Sequence, residues 1–362
     1  MTQSSGVAII GGGRWARTIG DLLVKIVAKK TSITVVSPTN AANWINWVKD
    51  RPSFQVEENL NSVLKNSEIT HVIIARRAVD HAETCLSALK HGKSVLVEKP
   101  FCLTAEEANK LAIVSKNANV GTGLVFHFGT NHSIFRNACM ASGGIQFIKL
   151  EWSDPACENR HGYSKTYDES LNVVQDVLPH AWSIFRPYTG RVPLELKGVN
   201  IDSGGRVVYL KLIAGTIFIS LKFERNAKNR CRKLLVGGIG WEGNFDFASE
   251  PGQASINGEP IDVSYKFESP LALELQAFLR NELPPLVKLD IAQEAIKLSI
   301  SAVTKLRRLQ AQAIKKGRKS GASPNDQSAA HYAFREIVAG GISGNGRGSK
   351  PEDILTWIED FK

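Results

Sequence analysis

Residues 7–16, Val-Ala-Ile-Ile-Gly-Gly-Gly-Arg-Trp-Ala, decide the fold of this chain. Their four leading apolar residues predict a buried strand, the glycines predict a tight turn, and the rest opens a helix. The segment fits the pattern G-x-G-x-x-A, in which backbone N–H groups approach a pyrophosphate that faces the helix N-terminus. It therefore predicts a dinucleotide site. The candidate contacts within it are Gly11, Gly13, Arg14, Trp15 and Ala16.

Strands and helices alternate through the next hundred residues. Short apolar strands are predicted at 33–36, 72–75 and 94–97, with helices near 58–66 and 79–91. Apolar strands separated by helices are typical of a parallel sheet that is covered on both faces. We expect an α/β protein with an N-terminal Rossmann, doubly wound parallel sheet.

The pattern changes after residue 125, where residues 146–152 alternate between apolar and polar. Further strands are predicted at 207–212, 217–223 and 234–237, which favours an open, largely antiparallel sheet in a C-terminal α/β domain. The expected domains are a Rossmann domain at 1–122, a substrate and oligomerisation domain at 123–320, and a C-terminal extension at 321–362.

Composition narrows the function classes. The 362 residues carry a net charge of +10, which favours an anionic ligand or nucleic acid as the binding partner. The basic segment 305–319 has no aromatic interleaving, so it indicates a solvated helix face or an anionic contact and argues against nucleic acid. No apolar run is long enough for a membrane span, and the five scattered cysteines favour a reducing cytoplasm.

The second predicted strand ends in Ser37, Pro38, Thr39 and Asn40, without the carboxylate that would bind the ribose hydroxyls of NAD. Ser37, Thr39 and Asn40 could donate to a 2′-phosphate, and Arg14 or Arg76 could neutralise it. The sequence therefore favours NADP(H) over NAD(H).

Glu98, Lys99 and Pro100 follow the strand at 94–97. Ligands of open α/β sheets bind at the carboxyl ends of strands, so Lys99 is expected in the ligand crevice. There it could donate to a substrate oxygen or nitrogen, or tune a neighbouring acid.

The glycine pattern, the spacing from His81 to Gly92, and the segments 92–100 and 103–108 resemble the Gfo/Idh/MocA oxidoreductase family. The resemblance implies a Rossmann domain followed by an open-sheet domain, a lysine near the cofactor that is matched by Lys99, and an Asp-x-x-x-His element that is matched by Asp176 and His180, with Lys99, His180 and Asp176 as the candidate catalytic residues. In the family the histidine serves as general acid or base, and the aspartate orients it or the substrate. The further cofactor contacts expected are Ala75, Arg76, His81, Glu98, Lys99 and Pro100.

Some positions depart from the family pattern. Residues 171–174 replace its glycine pair, Ser183 replaces an acid, and residues 126–131 replace an arginine-rich strand end. These departures put an ordinary sugar or inositol substrate in doubt. His127 and Tyr163 are the candidate substrate contacts, with Arg160, His161 and Tyr167 as further polar candidates.

We therefore expect an NADP(H)-dependent oxidoreductase that transfers a hydride between nicotinamide and a carbonyl, imine or alcohol carbon of a small metabolite. Lys99 and His180 would assist proton transfer, and a preference for NADPH favours a biosynthetic reductase. The alternative is a catalytically silent, dinucleotide-sensing regulator of the same fold. A homo-oligomer, dimer or tetramer, is also expected.

Overall fold

The computed structural model describes the chain over residues 6–28, 31–37, 41–116, 118–160, 163–165, 167–264, 268–341 and 350–360. It divides into two compact units. The first contains residues 1–128 and 268–296, and the second contains residues 129–267 and 297–362.

The helices of the described residues are, in chain order, α1 (Arg14–Ile26), α2 (Ala41–Val48), α3 (Leu60–Lys65), α4 (His81–Lys90), α5 (Ala105–Val114), α6 (Thr130–Ser142), α7 (Val173–Thr189), α8 (Pro270–Leu279), α9 (Leu289–Gly317), α10 (Pro324–Gly340) and α11 (Pro351–Asp360). All of the described helices are too short or too polar to cross a bilayer. The described residues also contain no cluster of side chains that could hold a metal ion.

The first unit is built on a parallel sheet whose strands are β1 (Gly6–Ile10), β2 (Ile33–Val36), β3 (Phe54–Glu57), β4 (Ile69–Ile74), β5 (Ser94–Glu98) and β6 (Val120–Gly123). Their order is β3-β2-β1-β4-β5-β6, the order of a Rossmann sheet. Every residue of β1 and β2 is buried, as expected for strands covered by helices on both faces. The predicted doubly wound parallel sheet is confirmed.

The strands of the second unit are β7 (Phe147–Pro155), β8 (Glu158–Arg160), β9 (Tyr163–Lys165), β10 (Leu194–Asp202), β11 (Val207–Ala214), β12 (Ile217–Ala227), β13 (Cys231–Gly238), β14 (Trp241–Asp246), β15 (Gln253–Ile256) and β16 (Glu259–Ile261). Eight of them form one sheet in the order β10-β11-β12-β7-β13-β14-β15-β16. Only β7 and β12 pair in parallel within it, so the predicted open, largely antiparallel sheet is confirmed.

Alternation along β7 places Ile148, Leu150 and Trp152 on its buried face and leaves Lys149 exposed. The buried face packs against α7, whose side chains are apolar along most of its length. This packing holds the helix that carries Asp176 and His180 on the sheet.

The compact units differ from the predicted domain boundaries in two respects. Residues 268–296 return to the first unit, where α8 packs against α1 and the backbone N–H of Thr122 donates to the carbonyl of Val287 over 3.0 Å. Residues 321–362 are part of the second unit rather than a separate extension, because α10 and α11 share a small core with α9. That core contains Ala311, Ile314, Ala333, Ile337, Ile354 and Ile358.

Candidate functional site

The glycine turn after β1 has two different spatial requirements. A Cβ on Gly11 would lie 2.2 Å from the carbonyl oxygen of Ala75 at the end of β4, so this position admits only glycine. A Cβ on Gly13 would meet nothing within 4 Å. Gly13 is the N-cap of α1, and no side chain caps the helix N–H groups there. The first turn also lacks acidic residues, so these N–H groups are suited to an anion.

Trp44 makes a hydrogen bond to the same turn, a contact that the sequence did not predict. Its fully buried indole Nε1 donates to the carbonyl of Gly11 over 3.0 Å. Trp44 lies in α2, outside any recognisable cofactor motif. The sequence signal available there is the pair Trp44 and Trp47, which indicates an apolar helix but no contact with the glycine turn. The bond fixes the glycine turn from the side of α2.

The polar residues after β2 are only partly described. Ser37 is buried, and its backbone N–H donates to the carbonyl of Glu57 at the end of β3 over 3.3 Å. Thr39 and Asn40 lie outside the described residues. The edge of the sheet at Ser37 thus carries a hydroxyl where an NAD site would carry a carboxylate.

Two arginines lie near this edge. Arg14 is the first residue of α1 and is half-buried. Arg76 follows Ala75 after β4, where its guanidinium donates to Thr84 Oγ1 over 3.0 Å and lies 3.8 Å from Asp80. The charge of Arg76 is therefore partly compensated within the protein.

His81, the first residue of α4, contacts the segments that follow β4 and β5. Its Nδ1 lies 2.8 Å from the carbonyl of Pro100 and its Nε2 lies 3.1 Å from that of Arg76. Burial lowers the pKa of His81, and a neutral ring carries one N–H, which donates to one carbonyl at a time. His81 thus connects the backbone after β4 to the cis Lys99–Pro100 peptide after β5.

Glu98 ends β5, and its carboxyl group has two hydrogen-bond donors and one close glycine as neighbours. The indole of Trp15 donates to its Oε1 over 2.5 Å, and the backbone N–H of Lys99 lies 3.3 Å from Oε2. A Cβ on Gly123 would lie 3.0 Å from the same carboxyl group. Desolvation raises the pKa of Glu98, and the Trp15 bond and the charge of Lys99 lower it. The half-buried Lys99 therefore follows a carboxyl group whose position is fixed.

A second carboxyl group near Glu98 was missed from the sequence. Glu274 on α8 is fully buried, and burial raises its pKa well above the ordinary value, with the charge of Glu98 adding to the effect. A signal was present, because Glu274 occupies a position in the apolar stripe of Leu271, Leu275 and Phe278. Because both carboxyl groups lie in a region shielded from water, the ionisation of one disfavours the ionisation of the other.

In the second unit, Asp176 and His180 lie four residues apart on α7, as predicted. The helix begins with a capping box between Asn172 and Gln175. The ring of His180 stacks on Trp152 of β7, with ring centroids 5.7 Å apart and an interplanar angle of 14°. The imidazole of His180 thus has a fixed orientation on α7.

Trp152 is itself fixed by charged neighbours. Its Nε1 donates to Asp154 over 3.0 Å, and Arg232 of β13 lies over its ring at 4.1 Å. Arg232 and Asp154 form an ion pair at 2.7 Å. Asp176 lies 3.5 Å from the buried guanidinium of Arg225 on β12. These partners come from three strands and were not foreseen from the sequence.

The predicted substrate contacts have separate locations. His127 lies in a short 3-10 turn of the first unit, half-buried and edge-on to Phe128 with centroids 5.7 Å apart. Tyr163 lies in β9 of the second unit, and its side chain is outside the described part, like that of Arg160. His161 lies outside the described residues, whereas the ring of Tyr167 lies 4.4 Å from the guanidinium of Arg225.

Comparisons with known proteins agree with this geometry. Residues 5–123 match the family model of the GFO_IDH_MocA oxidoreductases, which is described as an oxidoreductase family with an NAD-binding Rossmann fold. No curated protein sequence matched the chain.

Solved structures with the same fold include a dehydrogenase and a ketoreductase. The UDP-N-acetylglucosamine 3-dehydrogenase GnnA from Acidithiobacillus ferrooxidans is 16% identical, with a TM-score of 0.67, covering 83% of this chain and 97% of that chain. The 3-ketoreductase KijD10 from Actinomadura kijaniata, in complex with NADP and TDP-benzene, is 16% identical, with a TM-score of 0.66 and the same two coverages. The glycine turn, the strand order of the first sheet and the family match over residues 5–123 agree with one another, and they identify this part of the chain as a Rossmann domain similar to that of the Gfo/Idh/MocA oxidoreductases.

Proposed function

We propose that the protein is an NADP(H)-dependent reductase of a carbonyl or imine group in a small, anionic metabolite. The observation that carries the proposal is the arrangement at the carboxyl edge of the first sheet. The uncapped N-terminus of α1 follows β1 there, and Lys99 follows β5, with only β4 between these two strands. An anion-binding helix end and an amine at the same edge of a Rossmann sheet are what a nicotinamide enzyme needs.

The residues present fit a dinucleotide. The space above Gly13 admits a pyrophosphate, and the first N–H groups of α1 are oriented to bind it. When bound, nicotinamide donates or accepts the hydride at the reacting carbon. The protein's own contribution is to bind, to orient and to move a proton.

The preference for NADP(H) is supported by the residue at the end of β2, which is Ser37 and not a carboxylate. Ser37 can donate to a 2′-phosphate, whereas a carboxylate there would repel it. Arg14 is the stronger candidate for the compensating charge, because Arg76 already contacts Thr84 and Asp80. The neighbour KijD10 was crystallised with NADP, which agrees with this preference.

Lys99 and His180 are proposed to assist proton transfer, with Asp176 orienting the histidine. In the reductive direction a C–H bond forms at the substrate carbon, the C=O or C=N π bond breaks, and the heteroatom takes one proton. The Lys99 ammonium can polarise that heteroatom, and the imidazolium form of His180 can supply the proton and become neutral imidazole. The stacking on Trp152 limits the orientations available to His180.

The substrate class follows from charge and from the neighbours. A net charge of +10 favours an anionic substrate. GnnA is a dehydrogenase of a UDP-linked sugar, and KijD10 was crystallised with a TDP-linked compound. A nucleotide-linked ketosugar is therefore the first substrate to examine, with simple ketones and cyclic imines beside it.

Assembly and compartment stand as proposals. The outward face of the eight-stranded sheet carries Phe218 at 64% exposure, which supports a dimer or tetramer through this face. All five cysteines are free, which supports a reducing compartment such as the cytoplasm. Light scattering of the purified chain measures the oligomeric state.

A hydride-transfer assay tests the function. We expect Lys99→Ala and His180→Ala each to lower kcat roughly a hundred- to ten-thousand-fold with NADPH binding retained. Lys90→Ala and His91→Ala, at exposed positions by the end of α4, are matched controls that should keep full turnover. Unchanged turnover in both site variants would contradict the mechanism. NADPH binding with no turnover of any carbonyl or imine would favour the dinucleotide-sensing regulator instead.

A further inference from the structure

The guanidinium of Arg225 lies between two carboxylates in the second unit. Its side chain is 4% exposed, with Nη2 3.5 Å from Asp176 Oδ2 and Nη1 3.4 Å from Glu336 Oε1. Nη1 also donates to the carbonyl of Leu171, just before α7, and the ring of Tyr167 lies 4.4 Å from the guanidinium carbon. Arg225 thereby connects the start of α7 to α10.

Glu336 is held from its own side by donors on the C-terminal helices. The hydroxyl of Tyr332, one turn earlier on α10, donates to Oε1 over 2.9 Å. The side-chain amide of Gln310 on α9 donates to Oε2 over 3.1 Å. The carboxylate is 9% exposed, so both of its oxygens are oriented by protein groups. A buried polar network with these bonds in place specifies one arrangement of its members.

A second buried cation depends on the same carboxylate. Arg307 on α9 is 4% exposed, and its Nη1 lies 3.3 Å from the Gln310 side-chain oxygen. Burial lowers the pKa of Arg307, and the charge of Glu336 raises it. Two guanidinium groups are thus balanced by Asp176 and Glu336, and the loss of either carboxylate leaves a buried positive charge uncompensated.

α10 is docked closely enough to hold Glu336 in place. Gly204, in the 3-10 turn between β10 and β11, has φ of +73°, and a Cβ there would lie 2.0 Å from the carbonyl oxygen of Ala329 on α10. A Cβ on the next residue, Gly205, would lie 2.7 Å from the amide nitrogen of Gln310. Glycine at these two positions lets α9 and α10 approach the sheet.

Two further charged groups lie near His180 and compensate each other. On the strands that pack against α7, Asp154 of β7 and Arg232 of β13 form their own ion pair at 2.7 Å. The buried side chains of β11 that face the same side are Val208, Leu210, Leu212 and Ala214. The chain from Asp176 through Arg225 to Glu336 contributes a further set of charges on this side of the sheet.

We propose that Glu336 is a positioning residue, which fixes Arg225 and through it Asp176, one helical turn from His180. The inference rests on the proposed role of His180 in proton transfer. It assigns to the C-terminal helices a part in the catalytic machinery, because α10 supplies the carboxylate that completes the network.

The proposal has a direct electrostatic consequence. Glu336→Gln removes one negative charge with little change in shape and leaves Arg225 with Asp176 as its remaining carboxylate. The excess positive charge disfavours the imidazolium form of His180, so the pKa of His180 falls. The expected decrease is about half a pH unit, the size typical of one partly screened charge.

The test is an NMR titration of the full-length protein with isotope-labelled histidine, the His180 resonance being assigned from His180→Asn. Glu336→Gln should lower the pKa of His180, and Glu359→Gln, at an exposed position on α11, should leave it unchanged. An unchanged pKa of His180 in the folded Glu336→Gln protein would overturn the proposal. Because the titration needs no substrate, a failure of the proposed reductase activity is recognised separately.

Two further variants separate charge from packing. Glu336→Asp keeps the negative charge on a shorter side chain, so the pKa of His180 should stay close to its wild-type value. An equal decrease in Glu336→Asp and Glu336→Gln would mean that packing is responsible, and the proposal would be wrong. Arg225→Lys keeps the charge but cannot reach all three partners, so kcat should fall about tenfold while KM for NADPH is unchanged. Wild-type kcat in Arg225→Lys would also contradict the positioning role.

Discussion

The two units of this protein hold their candidate functional groups in different ways. In the first unit the groups follow the ends of neighbouring parallel strands, and backbone geometry fixes them: Gly11 contacts Ala75, and Glu98 contacts the backbone of Lys99. In the second unit Asp176 and His180 share one helix, and side chains from β7, β12, β13 and α10 fix them.

Because of this difference, a substitution in the first unit is expected to act mainly on backbone geometry, and one in the second unit mainly on local charge. An edge made of backbone tolerates exchanges of surface side chains but not of the glycines that permit its close approaches. For a helix held by ion pairs and stacking, the exchange of a charged neighbour changes the electrostatic surroundings of His180. The predictions below test this contrast.

The largest effect is expected from Gly11→Ala. Its Cβ would lie 2.2 Å from the Ala75 oxygen, so the turn must move, and we expect both NADPH binding and a large part of the stability of the first unit to be lost. Gly13→Ala is the matched control for folding, because its Cβ meets no protein atom within 4 Å. That variant should unfold like wild type and bind NADPH about tenfold more weakly. Thermal unfolding and fluorescence titration measure the two effects, and equal losses of stability would refute the contrast.

A carboxylate introduced after β2 should change the choice of cofactor. Ser37→Asp places a negative charge where the 2′-phosphate is proposed to bind, and it should weaken NADPH binding about tenfold or more, with NADH binding kept or improved. Ser53→Asp, at the opposite end of β3, adds the same charge away from the edge and should change neither affinity. Equal weakening of both cofactors by Ser37→Asp would argue against this location of the phosphate.

Glu274 should make stability depend on pH. Its folded-state pKa is raised above the ordinary value of 4.5, so the folded state binds more protons and loses stability as pH rises through the folded-state pKa. Glu274→Gln cannot ionise, so its advantage in unfolding midpoint over wild type should be small near pH 4.5 and grow to several degrees at higher pH. Glu282→Gln, an exposed carboxyl group of the same unit, should show no such trend. An advantage independent of pH would contradict the buried-carboxyl account.

The smallest effect is expected from Trp44→Phe. The exchange removes the N–H that donates to Gly11 but keeps most of the buried aromatic volume. The free energy of unfolding should fall by about 1 kcal/mol, the typical contribution of one hydrogen bond. Trp47→Phe, whose ring packs edge-on against Phe54 with centroids 5.0 Å apart, is the aromatic control. A loss in Trp47→Phe as large as that in Trp44→Phe would show that packing outweighs the hydrogen bond.

The first unit could be predicted well because its signals are local. The glycine turn, the apolar strands and the capping box of Thr104 and Glu107 each depend on residues within a few positions of one another. The change to an alternating pattern in β7 likewise predicted the second sheet. The short-range pattern therefore carried the fold class.

The rest depends on contacts between distant segments. Glu274 approaches Glu98 only because residues 268–296 return to the first unit, and no local pattern records that return. Arg225 and Glu336 are separated by 111 positions and meet through the packing of α10. A charged residue within an apolar stripe, as at Glu274, is a usable sequence signal, but it does not name the partner.

The proposed function requires above all that the glycine turn bind a dinucleotide. Calorimetric titration of the full-length chain with NADPH and with NADH tests this most directly. We predict saturable binding of NADPH, about tenfold or more tighter than that of NADH, and its loss in Gly11→Ala. No measurable affinity for either cofactor, or full affinity in Gly11→Ala, would contradict the account.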